Sequence, residues 1–221
     1  MRDCIFLVAD SHMEAAFNGF LTRQQFHLSL GTGVFEFDPN QDIIQATGKN
    51  DPGVYSSAHQ YLSFYQKSHR YAVIALDKQW DGSPGVEKIE QTITHNMQIS
   101  GWEAERFVVI VIDPELESWI LQDSSMLIQL FKLDIGGDTS PKSWLVKQNV
   151  WEVAEPKATD PKTALEKLLK QSTAQRISIS AANYKKITSA ITVKHCIDPA
   201  FDKLKSTLQT WFPPTAAGGA S

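Results

Sequence analysis

Long apolar runs are missing from this chain of 221 residues. None reaches the roughly 18 to 20 residues that cross a bilayer, so no membrane-spanning helix is expected. Cysteine is scarce. Cys4 and Cys196 are the only two, and their separation offers no metal-ligand spacing. They read as buried, reduced thiols. No P-loop, Gly-x-Ser-x-Gly or Cys-x-x-Cys segment is present, which removes the usual signatures of phosphate-loop NTPases, nucleophile-elbow hydrolases and dithiol redox proteins. The six histidines are scattered. No repeat with a period of about 20 to 50 residues is visible. The opening residues put Asp10 and Glu14 straight after a short apolar run, unlike a signal peptide, and a cytoplasmic location is expected.

What is present is the composition of a globular protein, with 42% hydrophobic and 21% charged residues. Charge is unevenly spread. Residues 157–221 hold ten Lys or Arg against four Asp or Glu, whereas residues 1–156 hold eleven against twenty-one. An acidic body suits a divalent cation and a basic C-terminal part suits phosphate, against the plainer reading of two solvated faces.

Apolar runs alternate with helical patterns. Cys4–Ala9, Tyr71–Leu76 and Phe107–Ile112 read as buried strands, the last as a central one because it is the most β-branched. Met13–Leu21, Val54–Ser68 and Val86–Gln98 read as helices, and Phe26–Phe37 as strand-like with a hairpin turn at Gly31-Thr32-Gly33. Five Asp-Pro or Ser-Pro pairs, at 51, 83, 113, 160 and 198, suggest an N-cap followed by proline at the first helical position. Strand, loop, helix, strand is the parallel α/β pattern. The expected organisation is an α/β domain over residues 1–150 with a mostly parallel sheet flanked by helices. A helical C-terminal appendage follows over 151–212, packed on it, and a disordered low-complexity tail over 213–221.

In such a sheet, ligands bind beyond the carboxyl ends of the strands. The first strand delivers Asp10, His12 and Glu14 there, the second Asp77 and Asp81, the third Asp113, Glu115 and Glu117. Gathered carboxylates repel one another, and a site that collects them commonly holds Mg²⁺ or Mn²⁺. Such an ion activates water and neutralises phosphoryl charge. Asp113 has the alternative of capping its helix, Glu115 of complementing the dipole in the first turn, Asp81 of making an Asp-Gly turn. Asp77 and Glu117 have no comparable local duty and rank first, Asp81 next, then Asp10 and Glu14. Lys157, Lys162, Lys185 and Lys186 are the candidate phosphate contacts, with a solvated face as the alternative. Trp80, Trp102, Trp119 and Trp144 read as core or interface.

Three segments carry a resemblance to a known family: FLVADSHMEAAF at Phe6–Phe17, VIALDKQWDG at Val73–Gly82 and VIDPELESWIL at Val111–Leu121, with weaker matches at Asp160–Leu169 and Cys196–Leu208. Together they resemble the toprim-like proteins of bacterial anti-phage defence loci, especially the small RloB-like families. The resemblance implies a toprim-like (Rossmann-type) fold and a Mg²⁺ site in which Asp77, Asp81, Glu117 and Asp10 bind metal and Asp77, Glu117 and Glu14 act in catalysis. It also implies a nuclease role in phage defence, a link to restriction–modification systems, and a partner ATPase or other defence subunit. DNA as substrate and a homo-oligomeric state are compatible with it. The chain departs from the toprim pattern in having Ala9 where that pattern has a glutamate, and in separating Asp77 from Asp81 by three residues. Asp10 or Glu14 is the replacement for that glutamate, or the fold serves as a non-catalytic binding module. A nucleotide-binding or phosphotransfer protein is the third alternative, disfavoured by the lack of a glycine-rich loop after a strand.

Overall fold

Residues 1–121, 125–138, 140–174, 176–193 and 196–214 are described by a computed structural model. Its centre is a four-stranded, all-parallel sheet in the order β2-β1-β3-β4, formed by β1 (Arg2–Val8), β2 (Ile43–Gln45), β3 (His69–Asp77) and β4 (Phe107–Ile112). Phe6 sits opposite Ile43 on one side and Val73 on the other, and Val73 in turn opposite Val108. The inner residues of β1, β3 and β4 are buried without alternation, as expected for strands covered on both faces. Helices α1 (Ser11–Leu21), α3 (Asp51–Leu62), α4 (Val86–Ile99) and α10 (Pro199–Trp211) pack against this sheet, so the chain is an α/β protein of Rossmann-like architecture. No described helix is long and apolar enough to cross a membrane.

Two short helices, α6 (Ser125–Phe131) and α7 (Pro141–Lys147), precede residue 150, and the helices after it join the same core. The latter are α8 (Pro161–Leu169), α9 (Ala181–Ala190) and α10. Phe201 of α10 meets Phe20 of α1 at 6.3 Å and Trp119 at 5.2 Å between ring centroids. Helix α9 lies along α1 so closely that a Cβ on Gly19 would stand 2.5 Å from the Lys185 carbonyl oxygen. Only glycine permits that approach. Asp160 and Asp198 cap α8 and α10 with their side chains, as their Asp-Pro pairs predict.

Several expectations need correction. Residues 26–37 are not a strand hairpin. Phe26–Leu30 forms a short helix, α2, which Gly31 ends in the left-handed region (φ 68°). Gly33 then donates to the Phe212 carbonyl at 2.7 Å, and Phe35 stacks on Phe212, so this segment follows the end of α10. The alternating phenylalanines report burial, Phe35 against Phe26 and Phe212 and Phe37 against Phe6 of β1, and not pairing in a sheet. β4 is an edge strand, because β-branched residues report cover on both faces and say nothing of how many strands lie alongside. Asp113 caps no helix. Helix α5 (Glu117–Ile120) begins four residues later, and Asp113 pairs with Lys78 at 3.1 Å. Ser83 does not cap α4, whose N-cap is Gly85. Asn50, not Asp51, caps α3, accepting from Gly53 N at 2.8 Å. Of the proposed tail, Pro213 and Pro214 follow α10 without regular structure, and residues 215–221 lie outside the described residues.

Candidate functional site

The strand order places a topological switch point between β1 and β3, where the chain turns to opposite sides of the sheet. The crevice beyond that point is the expected ligand position in an open parallel sheet. Asp10 stands at the end of β1, and Asp77 is the last residue of β3.

Asp77 is held from two directions. Its backbone N–H donates to Asp51 Oδ1 at 2.7 Å, and its Oδ1 accepts from Leu116 N at 2.9 Å. Lys78 N donates to Ile112 O and Gln79 N to Pro114 O, which fasten the end of β3 to the loop that carries Glu115. Asp51 reaches Asp77 because Asn50 does the capping, leaving the Asp51 carboxylate free to turn inward. Glu117 opens α5, is buried, and accepts a hydrogen bond from the Tyr184 hydroxyl of α9. The Tyr184 ring lies flat on His12, with centroids 4.7 Å apart and planes 9° apart.

The electrostatics follow from this crowding. Burial, then the charges of Asp51, Glu117, Glu115 and Asp10, push Asp77 well above the ordinary carboxyl range. Burial and the Asp10 charge raise Asp51 as well. Glu115 is raised to about 7 by burial, then by Glu117. Lys162 opposes both shifts as a cation on the exposed start of α8. Burial, the Glu117 charge and its hydrogen bond push the Tyr184 phenol up, so it stays a proton-bearing donor. Five carboxyl groups therefore share one field, and a cation entering it would relieve their repulsion.

The structure brings Asp77, Glu117 and Asp10 of the sequence-derived candidates together. Asp10 also caps α1, accepting from His12 N and Met13 N at 2.9 Å. Glu14 is turned aside to Gln45 of β2. Asp81 occupies an exposed turn before Gly82 (φ 79°) and is not among the charges that act most on Asp77. Lys157 is committed to Asp198 at 2.5 Å and to the Asp113 carbonyl at 2.6 Å, a structural tie rather than a free phosphate contact. Lys185 and Lys186 are exposed on α9, and Lys186 also lies over the Phe131 ring. Asp51 and Tyr184 were not legible as site residues. The sequence signal for Asp51 was Asn50, an equally good cap one residue earlier. Tyr184 carries no such signal, since its partner is 67 residues away.

Among the described residues, no three His, Cys, Asp or Glu side chains are arranged to hold a metal ion on their own. The donors fit a different kind of site. Mg²⁺ usually takes one or two carboxylates and completes its shell with water and substrate oxygens. Two of the carboxylates gathered around Asp77 meet that minimum.

No curated protein and no solved structure matches the chain. A family model described as a domain of unknown function, DUF4276, matches residues 31–211, which takes in β2, β3, β4 and every site residue except Asp10, His12 and Glu14. The chain therefore belongs to the DUF4276 family.

Proposed function

We propose that the acidic crevice takes Mg²⁺ or Mn²⁺ and that the protein is a toprim-like, metal-dependent nuclease subunit of a bacterial anti-phage defence system, acting on phosphodiester bonds. The observation that carries this reading is the gathering of Asp51, Asp77, Glu115 and Glu117 with Asp10 at the β1–β3 switch point. A divalent ion there would supply charge neutralisation at the phosphoryl oxygens and an activated water. Asp77 and Glu117 are the first choices to hold it, with Asp51 in place of Asp81. Lys162, whose charge acts on Asp51 and Glu115, is the candidate to meet a phosphate beside the acids, and the exposed Lys185 and Lys186 are further candidates to meet DNA. The resemblance to toprim-like defence proteins supplies the biological setting: the cytoplasm, an ATPase or other defence subunit as partner, a link to restriction–modification, and room for a homo-oligomer. The test is cleavage of DNA and RNA with Mg²⁺ or Mn²⁺, with EDTA as control. Asp77→Asn should lose cleavage and keep the fold. Cleavage at the wild-type rate by Asp77→Asn would remove the assignment.

One observation favours a second reading. Ala9, 1% exposed, stands where the toprim pattern has a glutamate. On that reading the subunit is non-catalytic and binds an ATPase partner or a phage component. Asp77→Asn would then retain both assembly and protection against phage.

A further inference from the structure

Helix α9 contributes a side chain to the acidic crevice that the functional reading leaves unused. Tyr184 is 0% exposed, and its hydroxyl donates to Glu117 Oε1. A buried phenol needs some partner, and a backbone carbonyl would satisfy it. Here the partner is a carboxylate inside a cluster of four other acids. The bond is charge-assisted and directional, so it fixes the plane of the Glu117 carboxylate. The ring itself is clamped. His12, in the first turn of α1, lies flat against it, and the approach of Gly19 to Lys185, the next residue of α9, holds α9 against α1. Both contacts tie the hydroxyl's position to the β1 side of the switch point, while Glu117 hangs from the β4 side. Tyr184 thus bridges the two walls of the crevice.

We infer that Tyr184 is a positioning residue, which holds Glu117 in the orientation that takes a divalent cation, with His12 keeping the phenol ring in place. This rests on the reading of the crevice as a divalent-cation site. Outer partners of metal-ligating groups orient the ligand, and their removal commonly weakens metal binding about 10- to 100-fold.

The experiment is Mn²⁺ binding by calorimetry and by Mn²⁺ paramagnetic resonance on the full chain, for wild type, Tyr184→Phe, Glu117→Gln and the double variant, with circular dichroism to confirm folding. Tyr184→Phe should bind Mn²⁺ at least about tenfold more weakly. In the Glu117→Gln background the same change should have no further effect, because the residue acts through Glu117. A folded Tyr184→Phe with wild-type affinity, or an equal loss in the Glu117→Gln background, overturns the inference and leaves the metal site standing. If Tyr184→Phe fails to fold, His12→Ala decides: weaker Mn²⁺ binding supports the inference and unchanged binding overturns it. Absence of Mn²⁺ binding by the wild type overturns both the inference and the metal reading.

Discussion

Asp42 and Asp77 are the same residue type at opposite ends of one sheet, and their surroundings drive them apart. Asp42 is fully buried just before β2. Arg2 grips both of its oxygens, with Nη2 to Oδ2 at 2.6 Å; Asp38 N donates at 2.6 Å and His69 Nε2 lies at 3.1 Å. Burial alone would raise this carboxyl, but the Arg2, Asp38 and His69 hydrogen bonds outweigh it and hold it below its usual value. Arg2 and His69 are opposite one another in the β1–β3 register, so this network pins three elements together. At the other end, the Asp77 carboxylate accepts from the Leu116 N–H, has four acidic neighbours, and is pushed up. One end spends its charges on holding the sheet together. The other keeps charges in conflict, the feature on which the proposed cation site rests.

The largest expected effect tests the satisfied end. Asp42→Ala leaves the His69 ring and the Asp38 N–H without their acceptor, each worth about 1–3 kcal/mol when buried, and should give the largest loss in urea unfolding. A loss under about 1 kcal/mol would mean that the network is ornamental and the contrast false. Next is Gly19→Ala. Its new methyl collides with the Lys185 backbone, for which overpacking costs about 1–3 kcal/mol. Hydrogen exchange should then quicken in α1 and α9 while β1 and the start of β3 stay protected. Uniform loosening would show that the two ends are not separable.

Asp77→Asn should do the reverse of Asp42→Ala. Relief of repulsion should raise metal-free stability by about 0.5–2 kcal/mol, the range common for substitutions that improve charge placement. It should also abolish any thermal shift on adding Mg²⁺. A marked destabilisation would place Asp77 with the structural acids.

The smallest effect is a pH dependence of opposite sign at the two ends. Glu115, raised to about 7, binds its proton more tightly in the folded than in the unfolded chain. Its contribution to stability is present below the unfolded value and falls as pH rises through about 7. Glu115→Gln should therefore exceed wild type in melting temperature at pH 8, and the gap should close toward pH 5. Asp42 is depressed, so its contribution is present above the unfolded carboxyl value and disappears as pH falls through the folded one. His69, lowered chiefly by burial, also favours the folded state as pH rises toward 6.5. A gap that widens on acidification would reverse the assignment at Glu115.

The sequence exposes three of the four strands because each is a continuous apolar run, and it exposes the carboxyl-end logic because Asp10 and Asp77 end two of them. β2 escaped notice: three residues are too short for periodicity, and its place is set by pairing with β1. Asp51 was hidden by a rule applied one residue too late, since proline is tolerated throughout the first helical turn and Asn50 could take the capping duty. Tyr184 and Asp42 were hidden for another reason. Their meaning comes from partners brought by tertiary packing, Glu117 and His12 for one, Arg2 and His69 for the other.

The span matched by the family model begins at residue 31, yet β1 lies between β2 and β3. A fragment starting there would keep the whole matched span and lose the strand that joins its two neighbours. β2 would have nothing to pair with, and β3 would present a bare row of amides and carbonyls to other chains, a template for aggregation. The matched span is thus shorter than the sheet it belongs to, and the first thirty residues supply the strand that joins its parts.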